Sequence, residues 1–288
     1  MKYEGQICRP PMERGSYMLP IMVGCSYNAC TFCDLFKHLE WRILPFEQVE
    51  NECKRVASLH GNPTSIFFGD GNAFALDTEY LLRIIDMTKK YFPNVAQYNM
   101  DATVTSIVKK SEVELKALYK AGVRNLYLGI ETALDDVLRF IKKDHTVLEA
   151  HTAIDALRNA GLIYNAHIML GIAGAKRSKE NAECLAQFLA STKPHRLINF
   201  SLFIPKGVPL YTDVQNGLFV PATELEKLEE DCMLVRLLGE TVHEEILYDS
   251  FHDLIQYRVR GTIPKDTSKM LKSLDEKIST IQCVKSQN

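Results

Sequence analysis

Three cysteines fall close together in the segment Gly24-Cys25-Ser-Tyr-Asn-Ala-Cys30-Thr-Phe-Cys33, with the spacing C-x4-C-x2-C. Thiolates hold iron–sulfur clusters, and a [4Fe–4S] cluster normally takes four of them. Here three are close and no fourth is evident, which leaves one iron open to a small chelating ligand. A second reading adds His38 to the three thiols, because Cys3His is a common structural zinc set. A third, three unrelated buried cysteines, is opposed by Gly24 and Asn28, which mark a loop rather than a core. The remaining cysteines, Cys8, Cys53, Cys184, Cys232 and Cys283, are scattered singly and read as small buried hydrophobes.

Such a loop needs a scaffold, and the chain supplies a repeating one. Short β-rich runs at Leu19–Val23, Ser65–Gly69, Val95–Met100, Asn125–Ile130, Tyr164–Leu170 and Leu197–Phe203 alternate with amphipathic stretches. Those stretches, Phe46–Leu59, Thr78–Tyr91, Glu112–Ala121, Leu148–Ala160 and Lys179–Ala190, predict helices. Alternation of this kind argues for parallel β/α units. Gly122 and Gly161 each follow a helix and precede a strand, where a left-handed residue ends the helix at little cost. The expected fold class is α/β, a partial (β/α)6 TIM-like barrel with a C-terminal helical extension. The whole of residues 1–288 is read as one domain, with the core at about 17–205 and the extension at about 206–288. In the extension, Ala222–Leu238 predicts a long helix. The tail from Asp249 onward carries turn signals and a last helix near Thr267–Ile278.

The 288 residues, 46% hydrophobic and 24% charged, suffice for a full core, since single α/β barrels reach roughly 200–250 residues. Net charge is −2 with no long run of Lys or Arg, so the basic stripe that phosphate neutralisation demands of a nucleic-acid binder is missing. No apolar run approaches the ~20 residues that span a bilayer. The first residues lack the apolar core of a signal peptide. The expectation is a cytoplasmic protein with no membrane partner and no nucleic-acid partner.

The cysteine loop resembles the cluster-binding loop of the radical S-adenosylmethionine superfamily, with four rather than the commoner three residues between the first two cysteines. The resemblance implies that Cys25, Cys30 and Cys33 hold a [4Fe–4S] cluster and that Phe32 packs beside the adenine of S-adenosylmethionine (SAM). Phe67-Phe68-Gly69-Asp70-Gly71-Asn72 resembles the turn that receives the methionine amino group, with Asp70 where the second glycine would stand. Read alone, Asp70-Gly71-Asn72 is a turn; beside the cysteine loop, Gly69, Asp70, Gly71 and Asn72 are read as cofactor-binding. Leu126-Tyr-Leu-Gly129-Ile-Glu131-Thr132 resembles the fourth-strand segment of the branch related to oxygen-independent coproporphyrinogen oxidase, which implies a cofactor contact for Glu131. His167-Ile-Met-Leu-Gly171-Ile-Ala-Gly174 resembles the glycine-bearing end of the fifth strand. Leu35 stands where coproporphyrinogen oxidases carry a further cysteine, so porphyrin decarboxylation is not implied. A second cysteine cluster, a cobalamin domain and a nucleic-acid module are likewise not seen.

Side chains alternate faces along a strand. Asn125, Tyr127, Gly129 and Glu131 share one face of their strand. So do Asn165, His167 and Met169 of the fifth, Gln97, Asn99 and Asp101 of the third, and Asn199 and Ser201 of the sixth. These polar faces are expected to line the barrel interior, which adds His167 and Ser201 to the cofactor-binding set. The alternative is a buried network in which the groups satisfy one another. The basic pairs Lys142–Lys143 and Lys176–Arg177 read either as solvated surface or as partners for the SAM carboxylate or an anionic substrate. The resulting expectation is a radical SAM enzyme that cleaves SAM reductively to a 5′-deoxyadenosyl radical. The radical acts on a small-molecule substrate, with electrons from a donor such as flavodoxin or ferredoxin. The alternatives are a non-standard cleavage, by 3-amino-3-carboxypropyl or methyl transfer, and a non-catalytic iron–sulfur or zinc protein.

Overall fold

The structure, a computed structural model, describes residues 3–6 and 8–286. In chain order the elements are β1 (Tyr17–Pro20), β2 (Met22–Val23), β3 (Arg42–Ile43), α1 (Phe46–Ser58), β4 (Ser65–Gly69), α2 (Thr78–Tyr91) and β5 (Gln97–Ala102). Then come α3 (Val104–Val108), α4 (Glu112–Ala121), β6 (Val123–Glu131), α5 (Asp135–Phe140), α6 (Val147–Ala160), β7 (Ile163–Leu170) and α7 (Ser178–Thr192). The last are β8 (Arg196–Ser201), α8 (Pro209–Gln215), α9 (Glu224–Thr241), β9 (Ile246–His252), β10 (Tyr257–Ile263) and α10 (Thr267–Ser286). The chain forms two compact units, Met1–Leu128 with Leu148–Tyr164, and Gly129–Val147 with Asn165–Asn288. The division falls within β6 and β7.

In the first unit β1, β4, β5 and β6 pair in that order, all parallel. The helices start and stop where local chemistry dictates. The Asp77 carboxylate accepts the backbone N–H groups of Glu79 and Tyr80 at the start of α2. Ser111 and Glu114 form a capping box on α4, and Gly122 ends it at φ 118°. One sheet face carries Ile66, Phe68, Tyr98, Met100, Leu126 and Leu128. Phe68 stacks on Tyr98 at 5.4 Å, and the Tyr98 hydroxyl meets Thr88 Oγ1 of α2 at 2.9 Å. The opposite face carries Phe67, Asn99, Asp101 and Tyr127, as alternation predicts.

In the second unit β7, β8 and β9 run parallel and β10 closes antiparallel on β9. The extension supplies α9 and α10, but also β9 and β10, which the sequence reading leaves as turns. Asp249 and Ser250 look like turn residues. In the strand, however, Asp249 receives Arg258 at 2.6 and 2.5 Å, and Ser250 Oγ donates to Asp231 of α9 at 2.8 Å. On β9 two largely buried faces with satisfied polar groups hide the alternation a half-exposed strand would show. No helix among the described residues is long and apolar enough to cross a membrane.

Candidate active site

The cysteine loop runs between β2 and β3 of the first unit, and Cys25, Cys30 and Cys33 are all half-buried. Its shape is fixed by local bonds. Asn28, in the left-handed region at φ 43°, donates from Nδ2 to Phe36 O at 3.0 Å, and Lys37 Nζ donates to Asn28 O. Thr31 Oγ1, between the second and third cysteines, is buried without a protein partner. Among the described residues no three His, Cys, Asp or Glu side chains converge to hold one metal ion. A single zinc would need such convergence at about 2.3 Å; a cubane spreads its thiolates over separate irons. His38 is exposed.

The strand-end turn after β4 is tied to this loop. Gly24 N–H donates to Asp70 Oδ2 at 3.3 Å. Asn72 Nδ2 donates to Ser26 Oγ at 3.1 Å and to Thr103 Oγ1 at 3.2 Å, and Asn72 Oδ1 accepts Thr103 N–H at 3.0 Å. Both amide hydrogens of Asn72 are thus spent inside the protein, which makes it a brace of the loop. A Cβ on Gly71 would stand 2.3 Å from a ring carbon of Phe36 and 3.1 Å from Cys25 Cβ, so the turn can lie against the cysteines only without a side chain. A Cβ on Gly69 would meet the flexible end of Met18, at 2.3 Å. Phe32 is half-buried beside Cys33.

On the polar face, Asn99 is engaged in a network that the sequence reading treats only as an alternative. Glu13, from a 3-10 turn ahead of β1, is buried. Its Oε1 accepts Asn99 Nδ2 at 2.9 Å and the Tyr127 hydroxyl at 2.6 Å. Asn99 Oδ1 accepts Asn125 N–H at 3.0 Å. No sequence signal marked Glu13. Nearer the strand ends, burial pushes the Asp70 carboxyl up to about 6. Burial, with Glu13 and Asp70 adding, pushes Asp101 up to about 8. Asp101 is therefore mostly protonated at neutral pH and available to donate.

In the second unit Glu131 ends β6 at φ 63°, an uncommon conformation for a residue with a Cβ. Lys143 Nζ lies 3.2 Å from Glu131 Oε1, both side chains almost fully buried. A Cβ on Gly129 would come within 2.5 Å of that carboxylate and 2.8 Å of that ammonium, so Gly129 makes room for the pair. Lys143 is thus a buried partner of Glu131 rather than surface charge, whereas Lys142 and Lys176 are exposed and Arg177 is paired with Asp136 and Glu180. His167 meets Phe200 edge-on at 5.7 Å, and burial, then Lys143, lowers its imidazole to about 4, so it stays neutral.

Ser201 is not with them. The register pairs His167 with Ile198 and Leu170 with Ser201, so Asn199 and Ser201 lie on the opposite face from His167. There Ser201 Oγ meets His252 Nδ1 at 3.3 Å. His252 Nε2 and Ser250 converge on the buried Asp231 of α9 at 2.9 and 2.8 Å. The assignment of Ser201 to the cofactor is corrected accordingly: a buried carboxylate needs partners, and the polar residues of β8 and β9 supply them.

A family model described as the Radical SAM superfamily matches residues 19–182. The heme chaperone HemW of Bacillus subtilis is 24% identical over 225 residues, 75% of this chain and 59% of its own length. The anaerobic magnesium-protoporphyrin IX monomethyl ester cyclase of Cereibacter sphaeroides is 25% identical over 199 residues, 68% of this chain and 32% of its own. The chain thus spans less than two thirds of either relative. Among solved structures, coproporphyrinogen III oxidase (HemN) from Escherichia coli superposes with a TM-score of 0.57 at 14% identity. That match covers 78% of this chain and 52% of that one. The likeness shows the fold, the partial (β/α)-barrel class expected from the sequence.

Proposed function

Because the chain belongs to the Radical SAM superfamily, a family of enzymes that use a [4Fe–4S] cluster and SAM, we propose that Cys25, Cys30 and Cys33 hold the cluster and that the chain cleaves SAM to act on a small-molecule substrate. The observation that carries this reading is the bonding of the cysteine loop to the Gly69–Asn72 turn, through Gly24 to Asp70 and Ser26 to Asn72. That bonding puts the thiol loop and the turn assigned to the methionine amino group in one construction. The donor set fits the group: three thiols on one loop, an unpartnered buried hydroxyl at Thr31, and a turn kept bare of side chain at Gly71.

The chemistry supplied by the bound pair is one-electron reduction of the sulfonium with cleavage of a carbon–sulfur bond. The chain's own residues bind and orient. Phe32 offers a flat apolar surface to the adenine. Glu131 has Oε1 committed to Lys143, which leaves Oε2 for a ribose hydroxyl or the methionine ammonium. Lys143 carries the positive charge that suits the methionine carboxylate. His167, held neutral, adds a polar contact without charge. Asp70 holds the loop through Gly24 and presents its second oxygen. Electrons come from a donor such as flavodoxin or ferredoxin.

Anaerobic reconstitution followed by dithionite and SAM tests the reading. Chromatography should show 5′-deoxyadenosine and methionine. Methylthioadenosine as the main product would replace the mechanism with three-carbon transfer. A loaded cluster that never turns SAM over would make the chain a binding protein.

A further inference from the structure

Glu131 sits at the centre of a three-residue turn in which Thr132 N–H donates to Ile130 O at 2.8 Å. Such a turn around a positive φ is rare and strained, so something else must hold it. The structure supplies a chain of buried side chains that starts at the next residue. Thr132 Oγ1 donates to Asn181 Oδ1 of α7 at 2.5 Å. Asn181 Nδ2 donates to Glu230 Oε1 of α9 at 2.7 Å, and Glu230 Oε2 accepts Gly171 N–H, just past β7, at 3.1 Å. Thr132, Asn181 and Glu230 are each at most 1% exposed. Three residues earlier on the helix, α9 makes another such contact: Lys227 Nζ donates to Leu202 O, just past β8, at 2.8 Å.

We propose that Glu230 is a positioning residue for Glu131, acting through Asn181 and Thr132, so that helix α9 of the C-terminal extension completes the SAM site at the end of β6. The proposal rests on the reading of Glu131 as a SAM contact. The geometry is specific. The Thr132 hydroxyl accepts the Leu134 N–H at 3.2 Å, and its own hydrogen is directed at the carbonyl oxygen that Asn181 presents. Asn181 is held in that orientation because its amide nitrogen must face the Glu230 carboxylate. Glu230 in turn is pinned by the Gly171 N–H. Each buried group has one satisfied arrangement, and that arrangement fixes where Thr132 stands and therefore how the Glu131 carboxylate is aimed.

The test is a mutant cycle on the reconstituted holoenzyme, with SAM affinity read by anaerobic calorimetry and iron per chain as control. Thr132→Val keeps the shape and removes the hydroxyl; it should weaken SAM by about tenfold, the scale of one misdirected charged hydrogen bond. Thr132→Ser should restore binding. In a Glu131→Ala background Thr132→Val should cost nothing further, because its route to the ligand is gone. Iron content should be constant throughout. Thr132→Val binding like wild type while Glu131→Ala is weakened overturns the proposal and leaves the Glu131 reading standing. So does a Thr132→Val loss that persists undiminished in the Glu131→Ala background. Glu131→Ala binding like wild type sinks the Glu131 reading and the proposal with it. Should Thr132→Val fail to fold, Glu230→Gln carries the same cycle, since it keeps the shape but cannot accept both donors.

Discussion

Lys143 Nζ stands 3.2 Å from Glu131 Oε1, with their side chains 6% and 10% exposed. Neither charge is near bulk water, and the Glu131 carboxylate depends on the Lys143 ammonium beside it. Removing one partner of a buried pair leaves an uncompensated charge and costs about 3–5 kcal/mol. Lys143→Met should therefore destabilise the protein by that order in chemical denaturation. Lys143→Met with Glu131→Gln should recover much of the loss, because no lone charge remains. A single Lys143→Met variant as stable as wild type would mean that the pair is not desolvated in solution.

The cluster assignment predicts which thiols matter. Anaerobic reconstitution should load about four irons per chain, and replacing Cys25, Cys30 or Cys33 by Ala should abolish loading. Cys53, Cys184, Cys232 and Cys283 lie on α1, α7, α9 and α10, off the loop, and their Ala variants should load normally. Iron and sulfide analysis of each variant decides it. Full loading of Cys30→Ala would overturn the ligand set.

Much of this architecture was legible because the responsible signals are local. Strand β4 and helices α2 and α4 fall where their apolar spacing and caps put them, to the residue. The bonding of the cysteine loop to the Gly69–Asn72 turn joins two segments that residue types alone single out. What was hidden depends on non-local partners. Glu13 is ordinary until Asn99 and Tyr127 close on it. Lys143 stands open between surface charge and a partner for an anion until the fold brings Glu131 to it. Asn199 and Ser201 were assigned to the wrong face because both faces of β8 are covered, and polarity there reports Asp231 rather than the site.

Glu230 gives stability a pH dependence with a definite sign. Burial pushes its carboxyl up to about 7 from the ordinary 4.5, against the hydrogen bonds from Asn181 and Gly171, and with Asp231 adding to the rise. The folded state then holds a proton that the unfolded state has released between pH 4.5 and about 7. Stability from this group therefore falls as pH rises through that window, by up to ~1.4 kcal/mol per unit, and is level above it. Other raised carboxyls, Asp70 and Asp101, slope the same way, so the informative quantity is a difference. Urea denaturation of wild type minus Glu230→Gln from pH 5 to 8 should show the slope. Parallel curves would mean that Glu230 ionises normally.

Two glycines separate cluster loading from cofactor binding. A Cβ on Gly71 would overlap Phe36 ring carbons at 2.3 and 2.7 Å and press on Cys25 Cβ at 3.1 Å. The ring is rigid and buried, so the cysteine loop must move. Overpacking of this kind costs roughly 1–3 kcal/mol, and the displaced element carries the thiols. Gly71→Ala should lower iron loading and, in consequence, SAM cleavage. A Cβ on Gly129 meets instead the far ends of two side chains, Glu131 Oε1 at 2.5 Å and Lys143 Nζ at 2.8 Å. These can swing aside, so the fold should tolerate Gly129→Ala with little loss of melting temperature. The carboxylate, however, would no longer point where the cofactor needs it. Gly129→Ala should load iron fully and bind SAM about tenfold more weakly, about the value of one charged hydrogen bond. Iron analysis beside anaerobic calorimetry reads both variants. Normal SAM affinity in Gly129→Ala would place the cofactor contact away from Glu131, and full iron loading in Gly71→Ala would mean that the turn does not shape the cysteine loop.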